Sequence, residues 1–128
     1  MDNAMLKSPS TLAFVGDAVF GLLVRTYLSE VECPIGEMHK KSVDFVNANA
    51  QTKAFEIIKD NLTEKEMSVF KRGRNYHVHG VPKSTNVASY HTATGVEALI
   101  GYLHLSGQTA RINELFSVII EGFLNENM

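Results

Sequence analysis

The chain has 128 residues, of which 45% are hydrophobic, and a formal net charge of −2. This length holds one domain, spanning 1–128, with enough apolar residues to form a core without disulfides or a structural metal. Cys33 is the only cysteine, which excludes an intrachain disulfide and favours a reducing, cytoplasmic setting. No signal-peptide pattern and no apolar run of the length that spans a bilayer is evident, so no membrane association is expected.

The charges are unevenly distributed along the chain. Residues 67–96 contain no Asp or Glu, but they carry Lys71, Arg72, Arg74 and Lys83 together with three histidines. A local basic surface on a mildly acidic protein indicates a confined site for an anion such as a phosphate backbone. An ordinary solvated loop would have the same composition, so charge alone leaves both readings open.

Helical signals follow one another along the chain, without the strict alternation of apolar and polar residues that is typical of strands. Ser8 and Pro9 are suited to open a first helix, which extends to about Leu28. A second helical stretch covers about 37–62. It is expected to be kinked or divided near 47–49, because Asn disfavours a helix interior.

Thr63 and Glu66 have the spacing of a capping box, which begins the next helix. That helix ends at Gly73, and a loop that is long for so small a domain covers 74–86, which favours function or mobility. Two further helices are predicted at about 87–105 and 109–124. The expected fold class is therefore all-α.

Two carboxylic acids have unusual surroundings. Asp17 lies in LAFVGDAVFGLLV and Glu97 in ATGVEALIGYL, so both have apolar or small neighbours one helical turn away. An ionised carboxylate on such a face is costly unless a cation or hydrogen bonds compensate it. A divalent metal that prefers oxygen ligands, Mg²⁺ or Mn²⁺, would do so. The alternative is structural: a helix cap, or a buried salt bridge to Arg25, Lys40 or Lys53.

Four glycines lie inside the helices that carry these acids: Gly16, Gly21, Gly95 and Gly101. Each costs about 1 kcal/mol relative to Ala in a helix interior. Such a cost is expected where a helix closely approaches another helix or a ligand. Two helices that meet at their glycines, with one acid each, would form a metal-binding cleft.

Several segments together resemble the ribonuclease III family. LAFVGDAVF is similar to its first signature helix, and ATGVEALIGYLHL is similar to its second. HKKSVDFVNANAQ resembles the helix between them. KRGRN, followed by PKSTN, is characteristic of the mini-ribonuclease III branch, as is the absence of a double-stranded-RNA-binding domain. The resemblance covers nearly the whole chain in the right order.

The resemblance implies a homodimeric helical-bundle endonuclease domain in which Asp17 and Glu97 are the catalytic, metal-binding acids. Two further acids of the wider family are replaced here by Ala13 and Thr94. We therefore expect Mg²⁺, or Mn²⁺ in its place, to be bound weakly by few protein charges and more water. The metal would activate a water and stabilise the leaving 3′-oxygen, which leaves 5′-phosphate and 3′-hydroxyl ends.

The resemblance also implies double-stranded RNA as the substrate, with one site of the dimer on each strand. A-form RNA is contacted mainly through its phosphates and 2′-hydroxyls. The candidate RNA-binding residues are Lys71, Arg72, Arg74, Asn75, Lys83 and Asn86. The family's dimer contact is apolar and lies near the signature helix, where Phe14, Val15 and Phe20 would pack either on a partner or in the monomer core.

By resemblance, the expected substrate is the duplex formed by the ends of precursor 23S (large-subunit) ribosomal RNA. A large-subunit ribosomal protein is a candidate helper. The main alternative is a ribonuclease III fold that binds structured RNA without cutting it, for which Ala13 and Thr94 argue. A third interpretation, a helical protein-interaction domain, explains the apolar helices but neither the two acids nor the acid-free basic stretch.

Overall fold

The structure, a computed structural model, describes Ala4 and residues 7–76 and 86–126. All regular elements in these ranges are helices, which confirms the all-α class. The six α-helices are α1 (Pro9–Leu28), α2 (Ile35–Val46), α3 (Ala48–Ile58), α4 (Glu64–Arg74), α5 (Val87–Leu105) and α6 (Thr109–Glu126). A short 3-10 helix, Lys59–Asn61, connects α3 to α4. Most of the predicted loop, including Lys83, lies outside the described residues.

Local capping sets the first helix boundaries. The hydroxyl of Ser8 accepts the N–H of Thr11 at 3.2 Å and begins α1. Asn47 separates α2 from α3, and its side-chain oxygen accepts the N–H of Ala50 at 2.8 Å. The predicted division of the second helical stretch is therefore confirmed, because Asn is a better N-cap than interior helix residue.

The capping box of α4 is also confirmed. Thr63 Oγ1 accepts the N–H of Glu66 at 3.1 Å, and Glu66 Oε1 accepts the N–H of Thr63 at 2.9 Å. Asn86 caps α5 in a similar way, through a bond of 3.1 Å from the N–H of Ser89. Just beyond the other end of α5, Gly107 has a φ of +73°, the left-handed conformation that commonly ends a helix. Glycine adopts this conformation at little cost because it has no Cβ atom.

Helix α5 lies at the centre of the bundle and packs against α1, α3, α4 and α6. Its eight buried residues are Gly95, Val96, Ala98, Leu99, Ile100, Gly101, Tyr102 and Leu103. Such a helix is apolar on nearly all sides because it is surrounded by protein. Phe20 and Phe116 contact each other edge to face at 5.7 Å, and this contact joins α1 to α6.

A buried ion pair that the sequence did not predict joins α4 to α6. Arg111 donates from Nε and Nη2 to the two carboxylate oxygens of Glu66, each at 2.8 Å, and from Nη2 to the carbonyl oxygen of Asn61 at 2.6 Å. Glu66 is only 5% exposed. The guanidinium of Arg111 lowers the pKa of Glu66, so this carboxylate stays ionised inside the protein.

Helix α1 contradicts the expectation that no segment is long and apolar enough to span a bilayer. By length and composition it is apolar enough to cross a membrane, and it is the only helix of that kind in the part of the chain that the structure describes. The core helix of a soluble protein passes the same test. Leu12, Phe20 and Val24 of α1 are buried in the bundle core.

Candidate active site

Helices α1 and α5 cross at two glycines, with their backbones in direct contact. A Cβ atom added to Gly16 would lie 1.7 Å from the carbonyl oxygen of Glu97, and one added to Gly101 would lie 1.9 Å from that of Leu12. No side chain fits at either position, as the predicted close approach of two helices requires. The residue after Gly16 is Asp17, so the crossing brings Asp17 beside Glu97.

The two acids form a coupled pair. Asp17 is exposed and Glu97 is partly buried. Burial, a hydrogen bond with Asp17 and the negative charge of Asp17 raise the pKa of Glu97 to about 8. At neutral pH the protonated Glu97 carboxyl therefore donates to the Asp17 carboxylate. The structural alternative, a salt bridge, does not describe Glu97, because the group that faces it is another acid.

Ala13 and Thr94, where the resemblance implies acids in the wider family, are uncharged and pack locally. Ala13 is 9% exposed, and the hydroxyl of Thr94 donates to the carbonyl oxygen of Tyr90 at 3.0 Å. Among the described residues, no three His, Cys, Asp or Glu side chains form a group that could hold a metal ion. The candidate site is therefore a two-carboxylate site.

A second glycine crossing positions α4 beside the turn of α5 that carries Glu97. A Cβ on Gly73 would lie 2.7 Å from the Cβ of Ala98, and one on Gly95 would lie 2.7 Å from the ring of Phe70. The close approach predicted for Gly95 is thus present. At Gly21 a Cβ would meet nothing within 4 Å, so none of the described helices approaches this glycine closely.

The carboxyl-terminal turn of α4 carries most of the described basic candidates. Lys71 is exposed and Arg72 partly buried. The guanidinium of Arg74 lies 5.7 Å from the centre of the Phe70 ring, and its Nε donates to Asn75 Oδ1 at 3.2 Å. A groove of about 690 Å³ follows α4, and it is lined by Leu62, Thr63, Glu64, Met67, Ser68, Lys71, Arg72 and Asn75.

The other candidate RNA-binding residues are placed differently. Asn86 is exposed, but its side-chain oxygen caps α5. Lys83 lies outside the described residues. Sequence reasoning missed Lys7, whose carbonyl oxygen accepts a bond of 3.2 Å from Arg72 Nη2. Nothing in the sequence pattern connects two residues that are 65 positions apart.

Phe14, Val15 and Phe20, which were predicted to pack either on a partner or in the monomer core, differ in their exposure. Phe20 is buried, Val15 is partly buried and Phe14 is 81% exposed. Leu22, two turns after Phe14 on the same helix, is 65% exposed. Between α1 and α2 a groove of about 450 Å³ is lined by Asp17, Ala18, Gly21, Leu22, Arg25, Ser42 and Val46. An apolar face therefore borders the carboxylate pair.

The sequence and the fold match a known class of protein. Residues 10–108 match the family described as Ribonuclease III domain. A solved structure of a protein from Fusobacterium nucleatum is similar, with a TM-score of 0.84 and 30% sequence identity over 94% of each chain.

Curated relatives specify the branch. A protein named Mini-ribonuclease 3 from Thermoanaerobacter sp. (strain X514) is 39% identical over 121 residues, covering 94% of this chain and 85% of the relative. One of the same name from Staphylococcus aureus is 36% identical, with 94% and 96% covered. The chain belongs to the mini-ribonuclease 3 branch of the ribonuclease III family, whose members are endoribonucleases that act on double-stranded RNA.

Proposed function

We propose that the chain hydrolyses phosphodiester bonds of double-stranded RNA at Asp17 and Glu97 and leaves 5′-phosphate and 3′-hydroxyl ends. The observation that carries the proposal is the acid pair itself. Two carboxyl groups meet on crossing helices, and burial of Glu97, together with its hydrogen bond to Asp17 and the charge of Asp17, raises the pKa of Glu97 to about 8. Paired acids with strongly shifted pKa values are typical of catalytic sites.

The pair suits a divalent metal ion. Protonation of Glu97 relieves the repulsion between the two acids in the absence of a cation, and a cation held by both carboxylates would relieve it with both ionised. Hard oxygen ligands favour Mg²⁺, with Mn²⁺ as a substitute. Such an ion supplies activation of a water nucleophile and stabilisation of the charge that develops on the leaving oxygen.

Side chains of the protein contact the substrate and bind the RNA backbone. Asp17 is exposed and reaches substrate from α1, while the partly buried Glu97 is held by the backbone contact at Gly16. Lys71, Arg72 and Arg74 bind RNA phosphates near the pair, because Gly73 packs directly against α5. Asn75, Lys83 and Asn86 complete the proposed RNA-binding set.

A homodimer would place two such sites on one duplex, one per strand. The exposed apolar face of α1, with Phe14 and Leu22, is the surface we assign to the partner copy. Large exposed apolar side chains beside a polar site are typical of protein interfaces.

The natural substrate is a finer proposal that rests on the branch to which the chain belongs. We infer maturation of the ends of precursor 23S ribosomal RNA in the cytoplasm, with a large-subunit ribosomal protein as a candidate helper. The second candidate function is an RNA clamp without catalysis. It is favoured by one observation, which is that Ala13 and Thr94 stand where the wider family has acids.

Cleavage of a long double-stranded RNA by the purified protein tests the proposal. We expect cutting with Mg²⁺ or Mn²⁺, no cutting with EDTA, and a loss of at least about a hundredfold for Asp17→Asn, since the hydrolysis depends on charge stabilisation at this site. Asp44→Asn is a matched control, because Asp44 is an exposed acid on α2. Duplex binding without cutting at any metal concentration would support the clamp instead.

A further inference from the structure

Ala4 and Lys7 precede α1, and Lys7 contacts α4 through Arg72. Ala4 is 4% exposed and belongs to the hydrophobic core. The N–H of Lys7 donates to the carbonyl oxygen of Ala4 at 3.2 Å. Ser8 then caps α1. Lys7 is therefore held from both sides, by a buried residue before it and by a helix start after it.

Lys7 is in direct contact with a proposed RNA-binding residue. Its carbonyl oxygen accepts the bond from Arg72 Nη2 at 3.2 Å, and Lys7 itself is exposed. This bond holds the guanidinium of Arg72 against the backbone of Lys7. Lys7 is exposed, and its backbone contact with Arg72 places it next to the carboxyl-terminal turn of α4, which also carries Lys71 and Arg74.

We propose that Lys7 is a phosphate-binding residue of the RNA interface, which joins Lys71, Arg72 and Arg74 in one cationic surface. This inference rests on the proposed function, because it assigns Lys7 to the same substrate. Lys7 and Arg72 are neighbours in the fold, and cations that lie within about one Debye length of each other, about 8 Å at physiological ionic strength, act together on a polyanion.

The position of Lys7 indicates binding rather than chemistry. Eight residues separate the first residue of α1, Pro9, from Asp17, which is about 12 Å along the helix axis. A group at that distance contacts the duplex away from the bond that is cut. Its removal should therefore weaken binding of RNA and raise KM, while kcat at saturating RNA stays the same.

The test measures affinity for a short RNA duplex in EDTA, which prevents cutting, at several salt concentrations. For Lys7→Gln we expect weaker binding and a slope of log K against log salt that is lower by about 0.9, the contribution of one phosphate contact to a B-form duplex. Lys7→Arg should retain the wild-type slope. Lys59→Gln is the control of equal charge, because Lys59 is exposed and pairs with Glu56.

Each outcome has a distinct meaning. A wild-type slope for Lys7→Gln, with or without weaker binding, would overturn the assignment of Lys7 and leave the proposed function intact. The same loss of affinity and slope in Lys59→Gln would also overturn it, because any lysine would then be equivalent. Wild-type protein that binds no duplex even at low salt would overturn the proposed function and this inference together.

Discussion

At the scale of single residues, Glu97 and Glu66 are acids whose pKa values shift in opposite directions. Burial and the neighbouring Asp17 raise the pKa of Glu97 to about 8. Glu66 shows the opposite behaviour, since Arg111 lowers its pKa although it is more deeply buried. Burial favours a raised pKa at both residues, but Glu66 faces a cation whereas Glu97 faces another acid.

A pH dependence of stability follows for the metal-free protein. The pKa of Glu97 rises from 4.5 to about 8 on folding, so between these values the folded chain binds more protons than the unfolded chain. The stability that protonated Glu97 contributes is fully present below about pH 4.5 and is lost as the pH rises through about 8. We expect a decrease in unfolding free energy on the order of 2–4 kcal/mol across this window.

Urea denaturation in EDTA, near pH 4.5 and near pH 9, measures this decrease. Glu97→Gln is the control, because glutamine does not titrate and can still donate to Asp17. The difference between wild type and Glu97→Gln should therefore change with pH. Adding Mg²⁺ at high pH should restore part of the stability. A difference that is constant over this range would mean that Glu97 ionises at an ordinary pKa.

At the scale of helices, the site depends on how closely α1 and α5 approach. The carbonyl oxygen of Glu97 lies where a side chain of Gly16 would begin. The carboxylate pair is thus a consequence of backbone packing. Helix α4 is placed by the same device at Gly73 and Gly95, and by the Arg111–Glu66 pair at its other end.

Two glycines of α1 should respond in opposite ways to the same substitution. Gly16→Ala places a methyl group 1.7 Å from an oxygen atom, and we expect it to cost at least about 3 kcal/mol of unfolding free energy. Gly21→Ala meets nothing within 4 Å, and it should be neutral or stabilising by up to about 1 kcal/mol through helix propensity. Chemical denaturation of both variants measures the contrast. Equal effects would show that the crossing does not require glycine.

At the scale of the whole molecule, α1 has two apolar faces, of which one is buried in the bundle and the other is exposed. Leu12, Phe20 and Val24 are buried against the bundle, whereas Phe14 and Leu22 are exposed. This division is the reason that α1 is apolar enough in composition to resemble a membrane-spanning helix. We assign the exposed face to a second copy of the chain.

A charged residue on that face should separate the copies without unfolding them. We expect Phe14→Asp to be a folded monomer at concentrations where the wild type is a dimer, because the substitution places a charge in the proposed apolar contact. Sedimentation equilibrium measures the mass and circular dichroism the helix content. Leu124→Asp is the control, since Leu124 is 49% exposed on α6, far along the chain from α1. A wild-type monomer, or a dimer that persists in Phe14→Asp, would contradict the assignment.

Local sequence was enough to predict the helices, the division at Asn47, the capping box at Thr63 and the membership of the ribonuclease III family. These features depend on side chains that act on backbone groups a few residues away, or on motifs that stand whole in the chain. Asp17 and Glu97 could also be identified as candidate site residues, because an acid among apolar residues is unusual in any helix.

Only the tertiary structure decided which residues meet across the bundle. It distinguished Gly16 from Gly21 and Phe14 from Phe20, and it joined Lys7 to Arg72 and Arg111 to Glu66. Two glycines or two phenylalanines on the same helix have similar sequence surroundings, whichever residues they contact in the fold. Their contacts follow from how six helices fill a common core, which local sequence does not specify.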